Sequence, residues 1–410
     1  MTGENLERVL SEALGEMERR GARKGAETVI TGVLPAAGGR GPRYLLAGRG
    51  ETPYLRMNSN GYLGLAMHAA VRAAEEQAVG DYGAGPGAVR FISGTWAPHV
   101  ALEHAIARFH ARPAAMLFSS AYAAVMGTLV PMITPETAVI SDALNHNCII
   151  NAVRLGTPKE KHIYPHLDAG VLETKLEEAS AQCRRAIVVT DGVFSMRGDF
   201  APLADIMTIA RGLEGAFAEG VIVMVDDSHG AGAFGATGRG TEEVTGAPPC
   251  DILVATLGKA FGVNGGYVAA SETVIEYLRE TSPFYIYSNP ITPGEAAAAA
   301  KAIEIVDSEE GLALLAHLRD MTARFEAGLE ALGRETIPGP HPVVPLMVRD
   351  TETTRAIVRH LKAGGVLAAG LGYPVVPKGD EEIRFQVSAD HTPEDIDEAL
   401  DVLADAPKAP

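Results

Sequence analysis

The sequence lacks the features that mark several large classes of protein. It has only three cysteines, Cys148, Cys183 and Cys250, which lie far apart and without CxxC spacing. We therefore expect free thiols in a reducing cytoplasm, with neither a disulfide framework nor a structural metal site. No apolar run approaches the ~20 residues of a membrane span, and the N-terminus lacks the basic start and apolar core of a signal peptide. These absences predict a cytoplasmic protein that does not bind membranes.

Positive charge is also scarce. Lys and Arg number 35 against 52 Asp and Glu, which gives a formal net charge of −17 and argues against nucleic acid as a partner. The composition is otherwise ordinary for a globular protein, with 47% hydrophobic and 21% charged residues over a length of 410. A small anionic ligand remains compatible with an acidic protein, because a local arginine or a helix N-terminus can hold a phosphate.

The middle of the chain alternates short apolar runs with helical patterns, from about residue 60 to 290. This alternation predicts an α/β fold with a mostly parallel, doubly wound sheet. The predicted strands cover residues 115–118, 138–140, 186–189, 221–225 and 252–255. Each run ends in small or polar residues, such as Thr190-Asp191, Asp226 and Thr256. Ligands of open α/β sheets bind outside the carboxyl ends of the strands, so we expect a site there.

The two ends of the chain have different patterns. An amphipathic helix over 4–24 and a Gly- and Pro-rich stretch to residue 57 predict an N-terminal section, 1–57, that packs with a small domain. The large domain is expected over 58–295. A smaller α+β domain is expected over 296–410. Its predicted helices cover 295–307, 309–332, 352–363 and 393–404, and its predicted strands 343–348, about 366–369 and 383–387.

Lys259 and Asp226 are the most informative residues of the sequence. Lys259 follows the strand 252–255 in the segment Thr256-Leu257-Gly258-Lys259, and Asp226 follows the strand 221–225. Pyridoxal phosphate (PLP) requires a lysine that forms a Schiff base and an acid that keeps the pyridinium nitrogen protonated. The pair therefore predicts a PLP site at the edge of the sheet.

Other polar residues near strand ends complete the predicted site. The Thr256 hydroxyl and the helix that starts near Ala121 and Tyr122 are candidates for the cofactor phosphate. His229, three residues after Asp226, is a candidate for the phenolic oxygen of the cofactor. His146, which follows the strand 138–140, could stack on the ring. Ser195 could donate a hydrogen bond nearby.

Each assignment has an ordinary structural alternative. Lys259 could be a surface lysine, Asp226 a helix N-cap, and His229 or His146 a histidine with structural hydrogen bonds. Arg384 lies in a predicted strand between apolar neighbours, where a buried guanidinium needs a carboxylate partner. That partner could be an internal acid or the carboxylate of an amino-acid substrate.

Two glycine-rich segments imitate nucleotide-binding motifs. Residues 230–235 match G-x-G-x-x-G, but Asp226 to His229 separate them from the strand, and the residues that follow start a helix poorly. The segment Gly258-Lys259-Ala260 lacks the upstream glycine and the Ser or Thr of a P-loop. We therefore predict neither a dinucleotide site nor a nucleotide triphosphatase.

With these residues assembled, the chain resembles the α-oxoamine synthases from about residue 55 to 400. The motifs are residues 58–65 (NSNGYLGL), 225–230 (VDDSHG) and 256–259 (TLGK). Within that family it is most similar to glycine C-acetyltransferases, on residues 89–95, 141–146, 190–196, 373–379 and 383–393. Two departures are Ala121-Tyr122-Ala123 in place of Cys-Phe-Asp, and Arg197 in place of an aspartate.

The resemblance implies a fold-type I PLP-dependent transferase that acts as a homodimer with shared active sites. It implies that the backbone amides of Ala121 and Tyr122 bind the cofactor phosphate. Ser288 and Asn289 would reach the phosphate of the partner subunit. Asn60 and Arg384 would hold the carboxylate of the substrate.

The expected reaction is a Claisen-type condensation of glycine with an acyl-CoA, with acetyl-CoA giving 2-amino-3-oxobutanoate. Lys259 would serve as the general base, and His146 and Lys259 would stabilise the developing oxyanion. One alternative is a related synthase that uses alanine, serine, another acyl thioester or an acyl carrier protein, with or without loss of CO2. Others are aminotransfer, aldol cleavage and a non-catalytic PLP-binding protein.

Overall fold

The computed structural model describes residues 3–20, 23, 25–373 and 376–408. The chain forms two compact units. The central unit comprises Asn60–Thr322 and Gly339–Pro342, and the terminal unit comprises Met1–Ser59, Ala323–Pro338 and Val343–Pro410. Among the described residues, no helix is both long enough and apolar enough to cross a membrane.

The helices and strands are numbered in chain order. The helices are α1 Glu4–Arg19, α2 Ala69–Tyr82, α3 Ala97–Phe109, α4 Ala121–Met132, α5 Asn147–Gly156, α6 Ala169–Ser180, α7 Leu203–Leu213, α8 Thr241–Thr245, α9 Glu272–Thr281, α10 Pro283–Ile286, α11 Pro293–Val306, α12 Glu309–Ala331, α13 Thr351–Ala363 and α14 Pro393–Ala404. The strands are β1 Ile30–Leu34, β2 Arg43–Leu46, β3 Leu55–Arg56, β4 Ala114–Phe118, β5 Thr137–Asp142, β6 Glu160–Tyr164, β7 Arg185–Asp191, β8 Val221–Asp226, β9 Ile252–Thr256, β10 Gly266–Ala270, β11 Val343–Met347, β12 Val366–Leu367, β13 Ala369–Leu371 and β14 Glu382–Gln386.

The central unit is built on a seven-stranded sheet in the order β4-β10-β9-β8-β7-β5-β6. Strands β5 to β9 are parallel to one another, and β10 is antiparallel to both of its neighbours. The predicted mostly parallel sheet is therefore confirmed. The sequence did not predict β6, whose Glu160 and Lys161 do not read as an apolar run, or β10, which consists largely of small residues.

Apolar packing fixes helix α4 on this sheet. Its buried Val125 and Leu129 belong to the same core cluster as Val189 and Val254 of the sheet. Full burial of a side chain of this size stabilises a fold by about 1.5–3 kcal/mol. Gly266 permits the close approach, because a Cβ there would lie 2.3 Å from the backbone nitrogen of Ala121. The start of α4 is thereby held against the edge of the sheet.

The terminal unit contains a three-stranded antiparallel sheet, β11-β14-β13, a parallel pair β12-β3 and the hairpin β1-β2. Arg43 joins its N-terminal and C-terminal parts through an ion pair of 2.7 Å with Asp395. The strand expected near 366–369 is two short strands, because the chain changes its pairing partner after Leu367. The helix expected over 4–24 ends at Arg19, and residues 21, 22 and 24 lie outside the described residues, as do Pro374 and Val375 of the motif 373–379.

Candidate active site

The carboxyl ends of β5, β7, β8 and β9 and the start of α4 enclose a cavity of about 280 Å³ within the central unit. Twelve residues line it, and eight of them are predicted site residues. These are Ala121, Tyr122, His146, Ser195, Asp226, His229, Thr256 and Lys259. The sheet thus brings together side chains that are up to 138 positions apart, counting from Ala121 to Lys259.

Lys259 is half-buried in the turn after β9, and backbone contacts fix that turn. Thr256 donates its hydroxyl to the carbonyl of Gly265 at 3.2 Å and accepts the N–H of Gly258 at 3.1 Å. Gly262 adopts φ +72°, and a Cβ there would lie 2.4 Å from the nitrogen of Ala66. These features fix the turn that carries Lys259 at the cavity wall.

Asp226 is buried and opposes a second buried carboxyl group. Its Oδ1 accepts the N–H of Ser228 at 3.1 Å, and the thiol of Cys148 lies 3.7 Å from its Oδ2. Asp191 is its partner across the β7–β8 pairing and also lines the cavity. Burial, reinforced by the charge of Asp226, raises the pKa of Asp191 well above its usual range. We infer that Asp191 carries a proton in the folded protein.

His146 is the N-cap residue of α5 and lines the cavity from β5. Its ring Nδ1 accepts the backbone N–H of Cys148 at 3.3 Å, which leaves Nε2 to carry the proton of the neutral ring. Its own backbone N–H donates to Asp191 at 3.0 Å. Burial lowers the pKa of His146, and the positive charge of Lys259 acts in the same direction. A neutral imidazole is therefore favoured beside the lysine.

His229 is fixed by two partners that the sequence did not identify. The hydroxyl of Tyr62 lies 2.7 Å from its Nδ1, and Nε2 of His341 lies 3.0 Å from its carbonyl oxygen. Burial lowers the pKa of His341 to about 4, so its ring is neutral and its Nε2–H can donate. Tyr62 stands in the motif NSNGYLGL and is fully buried, but the sequence carries no signal that pairs it with His229.

The remaining predicted residues occupy different places. Asn60 is half-buried, and its Oδ1 lies 3.4 Å from the Tyr62 hydroxyl. That hydroxyl also contacts His229. Ser288 and Asn289 follow α10 and do not line the cavity. Arg384 is the middle residue of β14 in the terminal unit, paired with Pro345 on one side and Ala369 on the other.

The N-terminus of α4 offers backbone donors to the cavity. Ser120 caps the helix by accepting the N–H of Ala123 at 3.1 Å. The first N–H groups of a helix have no partner within it and attract anions. Ala121 and Tyr122, the first two residues of α4, both line the cavity. An anion such as a phosphate fits this end of the cavity.

The glycine-rich segment 230–235 forms consecutive turns and not a helix start. A Cβ at Gly230 would lie 2.1 Å from Oδ1 of Asp227, and one at Gly240 would lie 1.9 Å from its Oδ2. Burial raises the pKa of this Asp227 carboxyl to about 7. Gly230 and Gly240 therefore make room for a buried acid, whereas Gly232 and Gly235 of the motif lie close to Ala260 and Glu243. Packing explains the motif without a dinucleotide.

Taken together, the cavity offers an amine, a buried carboxylate, two histidines and a helix N-terminus. This set can hold a planar phosphorylated aldehyde, because the amine condenses with the carbonyl carbon and the carboxylate pairs with a ring cation. The N–H groups at the start of α4 would bind the phosphate.

Residues 52–403 match the family model described as aminotransferase class I and II. The chain is 40% identical over 353 residues to the mitochondrial 2-amino-3-ketobutyrate coenzyme A ligase of Mus musculus, covering 86% of this chain and 82% of the ligase. It is also 40% identical over 369 residues to the 8-amino-7-oxononanoate synthase of Geobacter metallireducens, covering 90% of this chain and 92% of the synthase.

Solved structures with the same fold include serine palmitoyltransferases. The enzyme from Sphingomonas wittichii superposes with a TM-score of 0.86 at 26% identity, covering 98% of this chain and 97% of that one. The enzyme from S. paucimobilis, solved with PLP and myriocin bound, has a TM-score of 0.86 at 25% identity and covers 97% of this chain and 96% of its own.

Proposed function

The chain belongs to the aminotransferase class I and II family, within which it is a PLP-dependent α-oxoamine synthase, and we propose that it condenses glycine with acetyl-CoA. The observation that carries the proposal is the Lys259 amine and the buried Asp226 carboxylate at one cavity, in a chain so similar to 2-amino-3-ketobutyrate CoA ligases. The product would be 2-amino-3-oxobutanoate.

The cavity residues fit the proposed cofactor. Ser228 lines the cavity with a buried hydroxyl oxygen that has no hydrogen-bond partner among the described residues. A buried polar atom of this kind calls for a ligand or water to satisfy it. The buried Asp226 carboxylate and the helix N-terminus at Ala121 supply the cavity with the charges that a pyridinium and a phosphate need.

When bound, PLP condenses with an amine and withdraws electrons from the α-carbon of an amino acid. We assign Lys259 to hold the cofactor and then, as a free amine, to take the α-proton on its Nζ. Asp226 would hold the proton on the ring nitrogen of the cofactor. His229, whose Nδ1 lies 2.7 Å from the Tyr62 hydroxyl, would contact the phenolic oxygen through Nε2.

The other predicted residues orient the reactants. His146, neutral and with its proton on Nε2, would stack on the ring and donate to the oxyanion at the thioester carbonyl. Asn60 and Arg384 are assigned to the carboxylate of the amino acid by the motifs that they occupy. Ser195 donates a hydrogen bond near the cofactor.

The bonds of the reaction balance without a redox step. A carbon–carbon bond forms between the α-carbon of glycine and the carbonyl carbon of the thioester. The carbon–sulfur bond breaks, and CoA leaves as a thiol that takes up the proton removed from the α-carbon. Aminotransfer and aldol cleavage need no thioester, so they are separated from this reaction by the requirement for one.

We further propose that two copies of the chain form the working enzyme. Ser288 and Asn289 lie outside the cavity of their own chain and next to Tyr287, which is 81% exposed. We assign them to the cavity of a second copy, as the resemblance implies.

The test is a matrix of amino acids against thioesters with the purified, PLP-loaded protein. Glycine, alanine and serine are each combined with acetyl-CoA, succinyl-CoA, a longer acyl-CoA and an acyl carrier protein thioester. The release of free thiol is followed with a thiol reagent, and the product is identified by mass. We expect the highest kcat/KM for glycine with acetyl-CoA.

A second candidate is the condensation of alanine with a longer thioester and loss of CO2. The identity of 40% with an 8-amino-7-oxononanoate synthase supports it. Preferential thiol release with alanine, together with a product lighter by CO2, would replace the first proposal by this one. Product formation without any thioester would contradict both.

A further inference from the structure

His166 lies between two carboxylates just outside the cavity wall. Its Nδ1 is 2.9 Å from Oδ1 of Asp142, which ends β5, and its Nε2 is 3.1 Å from Oδ2 of Asp199. Both oxygens belong to groups that accept hydrogen bonds when ionised. Asp142 also accepts backbone N–H groups from Leu144 and Leu167, at 2.8 and 2.9 Å.

This arrangement determines the protonation of the ring. A neutral imidazole has one donor and one acceptor, so it cannot donate to both carboxylates, whereas an imidazolium can. Burial opposes the charge, but the two hydrogen bonds outweigh it and raise the pKa of His166 to about 9. The charged and titratable groups that face the ring are Asp142 at the end of β5, the hydroxyl of Tyr164 on β6, and Asp199 and Arg197 after β7.

The two carboxylates belong to different walls of the active site. Asp142 begins the segment that leads to His146. Asp199 closes a hairpin after β7, because Phe194 donates its N–H to the carbonyl of Asp199 at 2.8 Å, and Ser195 lies within that hairpin. The edge of the His166 ring also packs against Phe194, with 4.4 Å between the ring centroids.

We propose that His166 is a positioning residue whose imidazolium ties the His146 segment to the Ser195 hairpin. It thereby sets the distance between two residues that line the cavity, His146 and Ser195. The importance of that distance for turnover rests on the proposed function, but the tie itself is a property of the protein without cofactor. Arg197, which donates to Asp199 at 2.9 Å, neutralises the remaining charge of that carboxylate.

The sequence provides a matched control on β6, four residues before His166. His162 of β6 also contacts one acid, with its Nε2 2.9 Å from Glu160, and its side chain is as buried as that of His166. It bridges no second carboxylate among the described residues. His162→Gln should therefore remove a histidine–acid contact of the same kind without untying the two cavity segments.

The first measurement uses the protein without PLP. Nitrogen-15 NMR of the histidine rings should show His166 protonated on both nitrogens at about pH 7.5 and losing a proton near pH 9. Hydrogen exchange of the backbone over 193–200 should be about tenfold faster in His166→Gln than in the wild type. The His162→Gln variant should leave that exchange unchanged.

The second measurement uses the PLP-loaded enzyme. In the wild type, kcat/KM should fall as pH rises through about 9, because the imidazolium loses its proton. The kcat/KM of His166→Gln should already be below the wild-type value at neutral pH. Its pH profile should lack the fall near pH 9. A wild-type His166 ring that is neutral at about pH 7.5, or equal exchange in the two variants, would overturn the proposal. Neither result depends on whether glycine and acetyl-CoA are the substrates.

Discussion

The central unit has a cavity whose side chains contact one another and a second surface whose large apolar side chains are exposed. At the cavity, each functional side chain is held by neighbours, as His229 is by Tyr62 and His341. On the second surface, Phe91, Ile92 and Tyr287 are 65, 64 and 81% exposed. Large apolar side chains exposed together mark an interaction site. The first surface is completed within one chain, whereas the second leaves large apolar side chains exposed.

Buried ion pairs lie beneath the second surface. The buried Glu103 accepts two hydrogen bonds from Arg90, at 3.0 and 3.2 Å, and one from Arg279 at 3.0 Å. Both guanidinium groups lie over the ring of Tyr285, at 5.6 and 5.5 Å from its centroid. The turn that carries Phe91 and the segment that carries Tyr287 are thus fixed to one buried acid. A preformed surface of this kind loses little entropy when a partner binds.

The largest effect in this comparison is expected from the cavity. Lys259→Ala removes both the group that holds the cofactor and the proposed base. We expect kcat to fall by at least about 10⁴-fold, with loss of the visible absorbance band near ~420 nm that PLP gives when bound to a lysine. Circular dichroism serves as the folding control. Retained turnover in a folded variant would contradict the assignment of Lys259.

The next largest effect is a difference in kcat/KM between variants of two buried acids on neighbouring strands, Asp226 and Asp191. Asp226→Asn should lower kcat/KM at least about a hundredfold, because the ring nitrogen loses its counter-charge. Asp191→Asn should change it by less than about threefold, because burial raises the pKa of Asp191 and keeps it neutral in the native state. The asparagine oxygen can still accept the N–H of His146. Equal losses in the two variants would show that the proton has been assigned to the wrong carboxyl group.

Much of the cavity was predictable because strand ends are visible in a sequence. Asp226 and Lys259 follow apolar runs whose length and composition predict buried strands, and parallel strands deliver their ends to one edge. Tyr62 and His341 were not predictable in the same way. They lie 167 residues before and 112 residues after His229 along the chain, and only the folded packing makes them its partners.

The same limit applies to β10 and to the acid pair. The residues of β10 carry no strand pattern, and its place in the sheet depends on contact with β4 and β9. Asp191 is visible at a strand end, but its neutral state follows from burial and from its register opposite Asp226. A sequence shows which groups are present at an edge, whereas their charge depends on what surrounds them.

A third prediction concerns the exposed surface. Tyr287→Ser should weaken self-association at least about tenfold, as measured by analytical ultracentrifugation over a dilution series. Cofactor affinity should fall with it if Ser288 and Asn289 reach the second copy. Tyr277→Ser is the control, because Tyr277 is also exposed, at 46%. It lies on α9, and its hydroxyl donates a hydrogen bond to the carbonyl of Pro131. A monomeric wild type with full activity would remove the need for a partner.

The smallest effect comes from one hydroxyl group behind the cavity. Tyr62 and Tyr267 are both fully buried, and each hydroxyl lies 2.7 Å from a histidine nitrogen, of His229 and His110 respectively. Replacing either tyrosine by phenylalanine removes one buried hydrogen bond, so each variant should lose about 1 kcal/mol of unfolding free energy in a denaturant titration.

Only Tyr62→Phe should also weaken PLP binding, by roughly three- to tenfold, because His229 then loses the hydroxyl that lies 2.7 Å from its Nδ1 and orients its ring. Tyr267 pairs with a histidine that does not line the cavity and whose pKa burial lowers to about 3. Equal cofactor affinities in the two variants, measured by the return of absorbance on titration with PLP, would mean that Tyr62 stabilises the fold without positioning His229.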